Sequence, residues 1–78
     1  MADKNNNMPL HIGRMVRYRF EQLPRTCTVT WLARELNCDR TNIYKIFSRS
    51  TLDTDLLIRL SRVLHYDFFE EISRKLDV

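Results

Sequence analysis

The chain is nearly without the residues that let a backbone reverse sharply. Its 78 positions hold one glycine, Gly13, and two prolines, Pro9 and Pro24. A sheet built from many hairpins draws on glycine and proline at turn after turn, because tight hairpin turns require unusual φ angles. Helices joined by short loops make no such demand. The apolar residues agree, recurring with the three-and-four spacing of one helix face. Five such stripes follow one another, and polar residues fit to cap a helix stand between them. The expectation is an all-α domain: five helices, short loops and one compact core.

From Pro9 onward, Ile12, Met15, Val16, Phe20 and Leu23 line one face of a first helix. Pro24 ends it, because the residue before a proline is pushed out of the α region. Thr28 is a good N-cap for a second helix with Val29, Leu32, Ala33 and Leu36 inside. That helix should stop at Asn37, which tolerates the left-handed cap conformation better than any residue but glycine. Asp39 caps a third helix whose inner face is Ile43, Ile46 and Phe47. A loop over 48–52 leads to Asp53, cap of a fourth helix built on Leu57, Leu60 and Leu64, with Leu56 and Val63 alongside. Asp67 caps a fifth, carrying Phe68, Phe69, Ile72 and Leu76. Residues 1–8 are polar, with three successive asparagines, and read as a disordered tail. Residues 9–78 form the one domain that this length allows.

Several functional classes fall away. No apolar stretch approaches the ~18–20 residues that span a membrane, and the first residues lack the apolar run of a secretory signal. Cys27 and Cys38 are eleven positions apart, about 16 Å if the stretch between them is one helix, too far for a disulfide. Both are read as thiols of a reducing compartment, which points to the cytoplasm. There is no Cys-x-x-Cys, and His11 and His65 have no ligand-like spacing, so no metal or other cofactor is expected. They read as surface or helix-end residues. With no nucleophile–base pair and no glycine-rich phosphate loop, the chain is not expected to be an enzyme. No effector domain fits, so no small-molecule effector is inferred. Gly13 inside the first helix costs about 1 kcal/mol relative to alanine; a close approach by another backbone would explain it.

Charge is unevenly placed. Residues 10–50 carry eight basic side chains (Arg14, Arg17, Arg19, Arg25, Arg34, Arg40, Lys45 and Arg49) against Glu21, Glu35 and Asp39, a net +5 within a chain of net +3. Residues 51–78 are net −2. A basic half joined to an acidic half suits a polyanion on one face.

The informative segment is Val29 to Ser48. Two short helices meet across Asn37-Cys38-Asp39, with Ala33 four residues before Asn37 and Ile43 six after it. Helices crossing steeply at so tight a turn need a small residue where they touch, which is Ala33, and a residue tolerant of positive φ, which is Asn37. This is the spacing of a DNA-binding helix-turn-helix. The stretch Trp31-Leu32-Ala33-Arg34-Glu35-Leu36-Asn37-Cys38-Asp39-Arg40-Thr41-Asn42-Ile43-Tyr44-Lys45-Ile46-Phe47, with Asp53 to Leu64 downstream, resembles the phage-repressor-like (XRE-type) helix-turn-helix regulators over residues ~10–72. Two departures stand out: Asn37 replaces the family's usual turn glycine, and Phe47-Ser48 stands where a Glu-Gly pair often closes the third helix.

The resemblance implies a lambda-repressor-like fold and sequence-specific binding of double-stranded DNA, with the third helix in the major groove. Carried over by position, Arg40, Thr41, Tyr44 and Lys45 contact bases; arginine suits the O6 and N7 edge of guanine. Thr28 and Thr30 at the start of the second helix, and Arg49, Ser50 and Thr51 after the third, contact phosphates. Arg14, Arg17 and Arg25 join them only if oriented that way. Tyr44 is equally suited to packing, and Trp31 is expected between helices. The family setting is a bacterial or phage-derived, nucleoid-associated transcription regulator, acting as a homodimer in solution or only on DNA. The Phe69, Ile72 and Leu76 stripe is the expected contact. The alternative is an all-α protein-interaction module such as an antitoxin or adaptor.

Overall fold

Helix starts are dictated by side chains that accept the first free N–H groups. In a computed structural model, which describes residues 10–76, five helices follow in order. They are α1 (Ile12–Glu21), α2 (Val29–Glu35), α3 (Arg40–Ser48), α4 (Thr54–Val63) and α5 (Phe68–Leu76), and no strand occurs among the described residues. The expected tail at 1–8 lies outside the described residues. Thr28 accepts from Trp31 N at 3.1 Å, Asp39 from Asn42 N at 3.1 Å, Asp53 from Leu56 N at 2.7 Å and Asp67 from Glu70 N at 3.0 Å. Each of these four caps offsets an otherwise unsatisfied donor, worth about 1 kcal/mol. At α1 the cap is His11, whose Nδ1 accepts from Arg14 N at 3.1 Å.

Two helices end in the left-handed conformation. Asn37 has φ 58° and His65 φ 52°. At each, the next amide reaches back five residues: Cys38 N to Ala33 O at 2.9 Å, and Tyr66 N to Ser61 O at 3.0 Å. This is the Schellman closure, which satisfies a carbonyl that the helix leaves free. His65 is thus a helix-end residue for a specific backbone reason. α1 stops earlier than its apolar stripe suggested. Gln22 N and Leu23 N bond Arg19 O and Phe20 O, so Leu23 sits in the turn after the helix.

The core is one cluster drawn from every helix. Val16, Leu32, Ile43, Leu60, Leu64 and Phe68 are its fully buried members. α3 lies against both α1 and α2. Its inner face is the expected Ile43, Ile46 and Phe47, all buried. Phe47 meets Phe20 of α1 with ring centroids 5.7 Å apart, a separation at which aromatic pairs add stability beyond the area they bury. Trp31 is half-buried against the core. Ala33 is buried on the face of α2 that meets α3. Ala33→Leu should overpack this junction and cost about 1–3 kcal/mol; an unmoved urea midpoint would mean the two helices do not touch there.

The closest approach is at Gly13. Its N–H donates to Arg49 O at 2.9 Å, and Ile12 N donates to Ser50 O at 2.9 Å. The first turn of α1 therefore rests on the backbone that leaves α3. A Cβ at Gly13 would collide with the carbonyl oxygens of Ile46, Phe47 and Arg49. That accounts for a glycine inside a helix, where propensity alone disfavours it.

Candidate functional site

With its apolar face turned inward, α3 must show its other residues to solvent. Arg40, Thr41, Tyr44 and Lys45 are all exposed. Three of them, Arg40, Thr41 and Tyr44, face an open cleft of about 700 Å³ whose opposite wall is Thr30 and Arg34 of α2. The cleft lies at the short connection between α2 and α3, where Asn37 holds the left-handed conformation. Thr30 and Arg34 are one helical turn apart and so share a face. Arg34 was counted among the basic residues but not singled out as a site residue; its spacing from Thr30 was the available signal.

Tyr44 is both packed and exposed. Its ring stands at 84° to that of Phe47 with centroids 6.5 Å apart, yet the residue remains 53% exposed. Packing thus fixes the direction of a ring whose outer surface is free. Asp39 also lines the cleft, but its carboxylate is committed to the first turn of α3 through Asn42 N. Cys38, half-buried beside it, has its thiol pKa pushed up by burial, then by the charge of Asp39, while Arg59 works against both. A thiol held protonated is a poor nucleophile, and neither cysteine is in a disulfide.

The expected phosphate contacts divide. Thr28 and Thr30 are exposed at the start of α2, though the Thr28 hydroxyl already accepts from Trp31 N. Its own proton remains available to donate. Arg49, Ser50 and Thr51 are exposed on the loop that follows α3. Their backbone is fixed, because the Arg49 and Ser50 carbonyls hold the start of α1. Lys45 and Arg49 do not face the large cleft. They open onto a second hollow on the other flank of α3, shared with Asn42 and with Arg59 of α4.

Of the remaining arginines, Arg14 and Arg25 are exposed, and Arg17 pairs with Glu21 at 3.0 Å. Arg19 is turned inward, its guanidinium 4.8 Å from the centre of the Tyr66 ring. Arg59 was not anticipated at all. It donates to Leu36 O at 2.6 Å across 23 positions of chain, closing the end of α2 from α4. No pattern within α4 announces such a bond, since its acceptor is a backbone atom of a distant helix.

Chemically, the cleft between α2 and α3 offers guanidinium, hydroxyl and aromatic groups around a concave surface whose one lining carboxylate, Asp39, accepts from Asn42 N. Guanidinium and hydroxyl groups so placed can donate hydrogen bonds to acceptor atoms brought into the cleft. Among the described residues there is no cluster of three or more potential metal ligands, and no helix is long and apolar enough to cross a membrane. No family model matches the chain, and no match to it was found among curated proteins or solved structures.

Proposed function

We propose that the protein is a sequence-specific double-stranded DNA-binding regulator of the phage-repressor-like helix-turn-helix type, with α2 and α3 as the motif. The observation that carries this reading is the cleft in which Arg40, Thr41 and Tyr44 stand exposed opposite Thr30 and Arg34. α3 enters the major groove, its first turn and the face one turn on reading base edges. The N-terminal end of α2 and the loop after α3 fix register on phosphates. No chemistry is performed on the DNA.

The reading is tested by selecting bound sequences from a random duplex pool and measuring affinity for the winner across a salt series. A consensus with affinity falling steeply as salt rises is expected. Recovery of no consensus, with affinity flat in salt, would overturn the reading in favour of a protein-interaction module. Within it, Arg40→Ala should cost about 1–3 kcal/mol on the preferred site and relax discrimination at one base position. Equal losses on preferred and random duplex would assign Arg40 to phosphate alone.

The regulator acts as a twofold dimer through α5. Phe69 and Leu76 are 40% and 57% exposed, with Ile72 half-buried between them on the stripe. The first turn of α5 is acidic (Glu70, Glu71) and its last turn basic (Arg74, Lys75). Two copies laid antiparallel set acid against base at both ends, as a self-complementary contact requires.

A further inference from the structure

The second hollow, on the flank of α3 away from the large cleft, has about 150 Å³ of space. Lys45, Arg49 and Arg59 line it together with Asn42, over apolar Ile46 and Leu56. No carboxylate borders it: Asp39 opens onto the other cleft. Among the described residues none of the three cations is paired with an acid. Like charges repel when gathered in this way, and a surface that keeps them together without a counter-charge is suited to an anion.

The hollow is also braced. Arg59 spends one of its five N–H donors on Leu36 O, which fixes the guanidinium while leaving the others free. Asn42 and Lys45 are three apart on one flank of α3, and Arg49 follows as its extended C-cap residue. Arg49 sits where the backbone is fixed by Gly13 N. The donors thus come from α3, the residue that follows it and α4, with Arg49 and Arg59 braced by bonds to other segments.

We infer that this hollow is a phosphate-binding site in which Lys45, Arg49 and Arg59 converge on one phosphate group, with Asn42 donating from its amide. Lys45 is thereby assigned to a phosphate and not to a base edge. The phosphate is either a backbone diester of a bound duplex or a free phosphate monoester. The first source rests on the DNA-binding reading above; the second does not.

The test uses the full chain and Asn42→Asp, which sets a carboxylate among the three cations while leaving the Arg59–Leu36 bond untouched. An acidic residue in the first turn of α3 also favours the helix, so the fold is kept. Duplex affinity is measured across a salt series. If the duplex fills the site, the variant loses about one counterion, and its log–log salt slope falls by about 0.9. The affinity ratio between 50 and 200 mM salt then shrinks about 3.5-fold, equally on preferred and random sequence. In parallel, inorganic phosphate is titrated while the Arg49 and Arg59 Nε–H resonances are followed. Saturable shifts in the wild type, absent in Asn42→Asp, support the site with free phosphate as its source. Arg59→Gln, with its fold checked by thermal melting, should reproduce whichever effect appears. A chain that binds no duplex at all removes the DNA reading and leaves the phosphate titration to decide. An unchanged salt slope, or no duplex binding, together with no phosphate-dependent shift would overturn the proposal.

Discussion

Replacing Gly13 with alanine is expected to destabilise the domain by about 3 kcal/mol. The sign is the informative part. In an ordinary helix interior the same change stabilises by about 1 kcal/mol. Here the added methyl meets the carbonyl oxygens of Ile46, Phe47 and Arg49, which are backbone atoms and cannot rotate aside as a side chain can. Relief requires α1 to lift from the end of α3, which breaks Gly13 N to Arg49 O and Ile12 N to Ser50 O and loosens Phe20 from Phe47. A chain of this size has about 4–12 kcal/mol of total stability, so the loss should show as a large fall in the urea midpoint at unchanged m-value. A midpoint at or above that of the wild type would place α1 farther from α3 than described.

Phe69→Glu is expected to weaken binding to a duplex with two half-sites at least about 100-fold, while changing affinity for a single half-site by less than tenfold. Linking two reading heads makes the second contact intramolecular, and such linkage is worth about 10²–10⁴ in affinity. Breaking the proposed α5 contact would forfeit that factor without touching α3. Phe69 is 40% exposed and Phe68, its neighbour, is completely buried, so the substitution spares the core and stability should hold within about 0.5 kcal/mol. Equal affinities of wild type and variant for the two-half-site duplex would show that α5 does not pair copies.

The elements readable from the sequence were those decided by neighbours in the chain. Thr28, Asp39, Asp53 and Asp67 each bond an amide three residues on, so a polar residue ahead of an apolar stripe suffices to locate a helix start. Asn37 closes α2 by its own φ, and the inward faces of α3 and α4 follow from a 3.6-residue period. His11 escaped notice as a cap because an imidazole does this task far less often than a hydroxyl or carboxylate. Leu23 was placed on the helix because it continued the apolar period, whereas the local bonds of Gln22 and Leu23 already turn the chain. Contacts between distant segments left no local pattern. Arg59 reaching Leu36 O, and Gly13 beneath the end of α3, depend on which helices become neighbours in space. In the candidate site, the exposed face of α3 was legible from its buried one. Its division into two hollows was not, because Arg34 and Arg59 are delivered by the helices on either side.

The bonds from Ile12 and Gly13 to Ser50 and Arg49 join α1 and α3 tail to head. Each helix is a dipole, positive where its chain begins and negative where it ends. At this junction the start of α1 lies against the chain that leaves α3, so partial charges of opposite sign are brought together. A helix lying along a phosphate backbone would otherwise present that backbone with a ring of electron-rich carbonyls at its far end. Here the start of α1 covers that end, and the Arg49 side chain stands exposed beside it. The first N–H groups of α1 are occupied in the exchange, whereas Thr28, Thr30, Arg40 and Thr41 at the starts of α2 and α3 stay exposed.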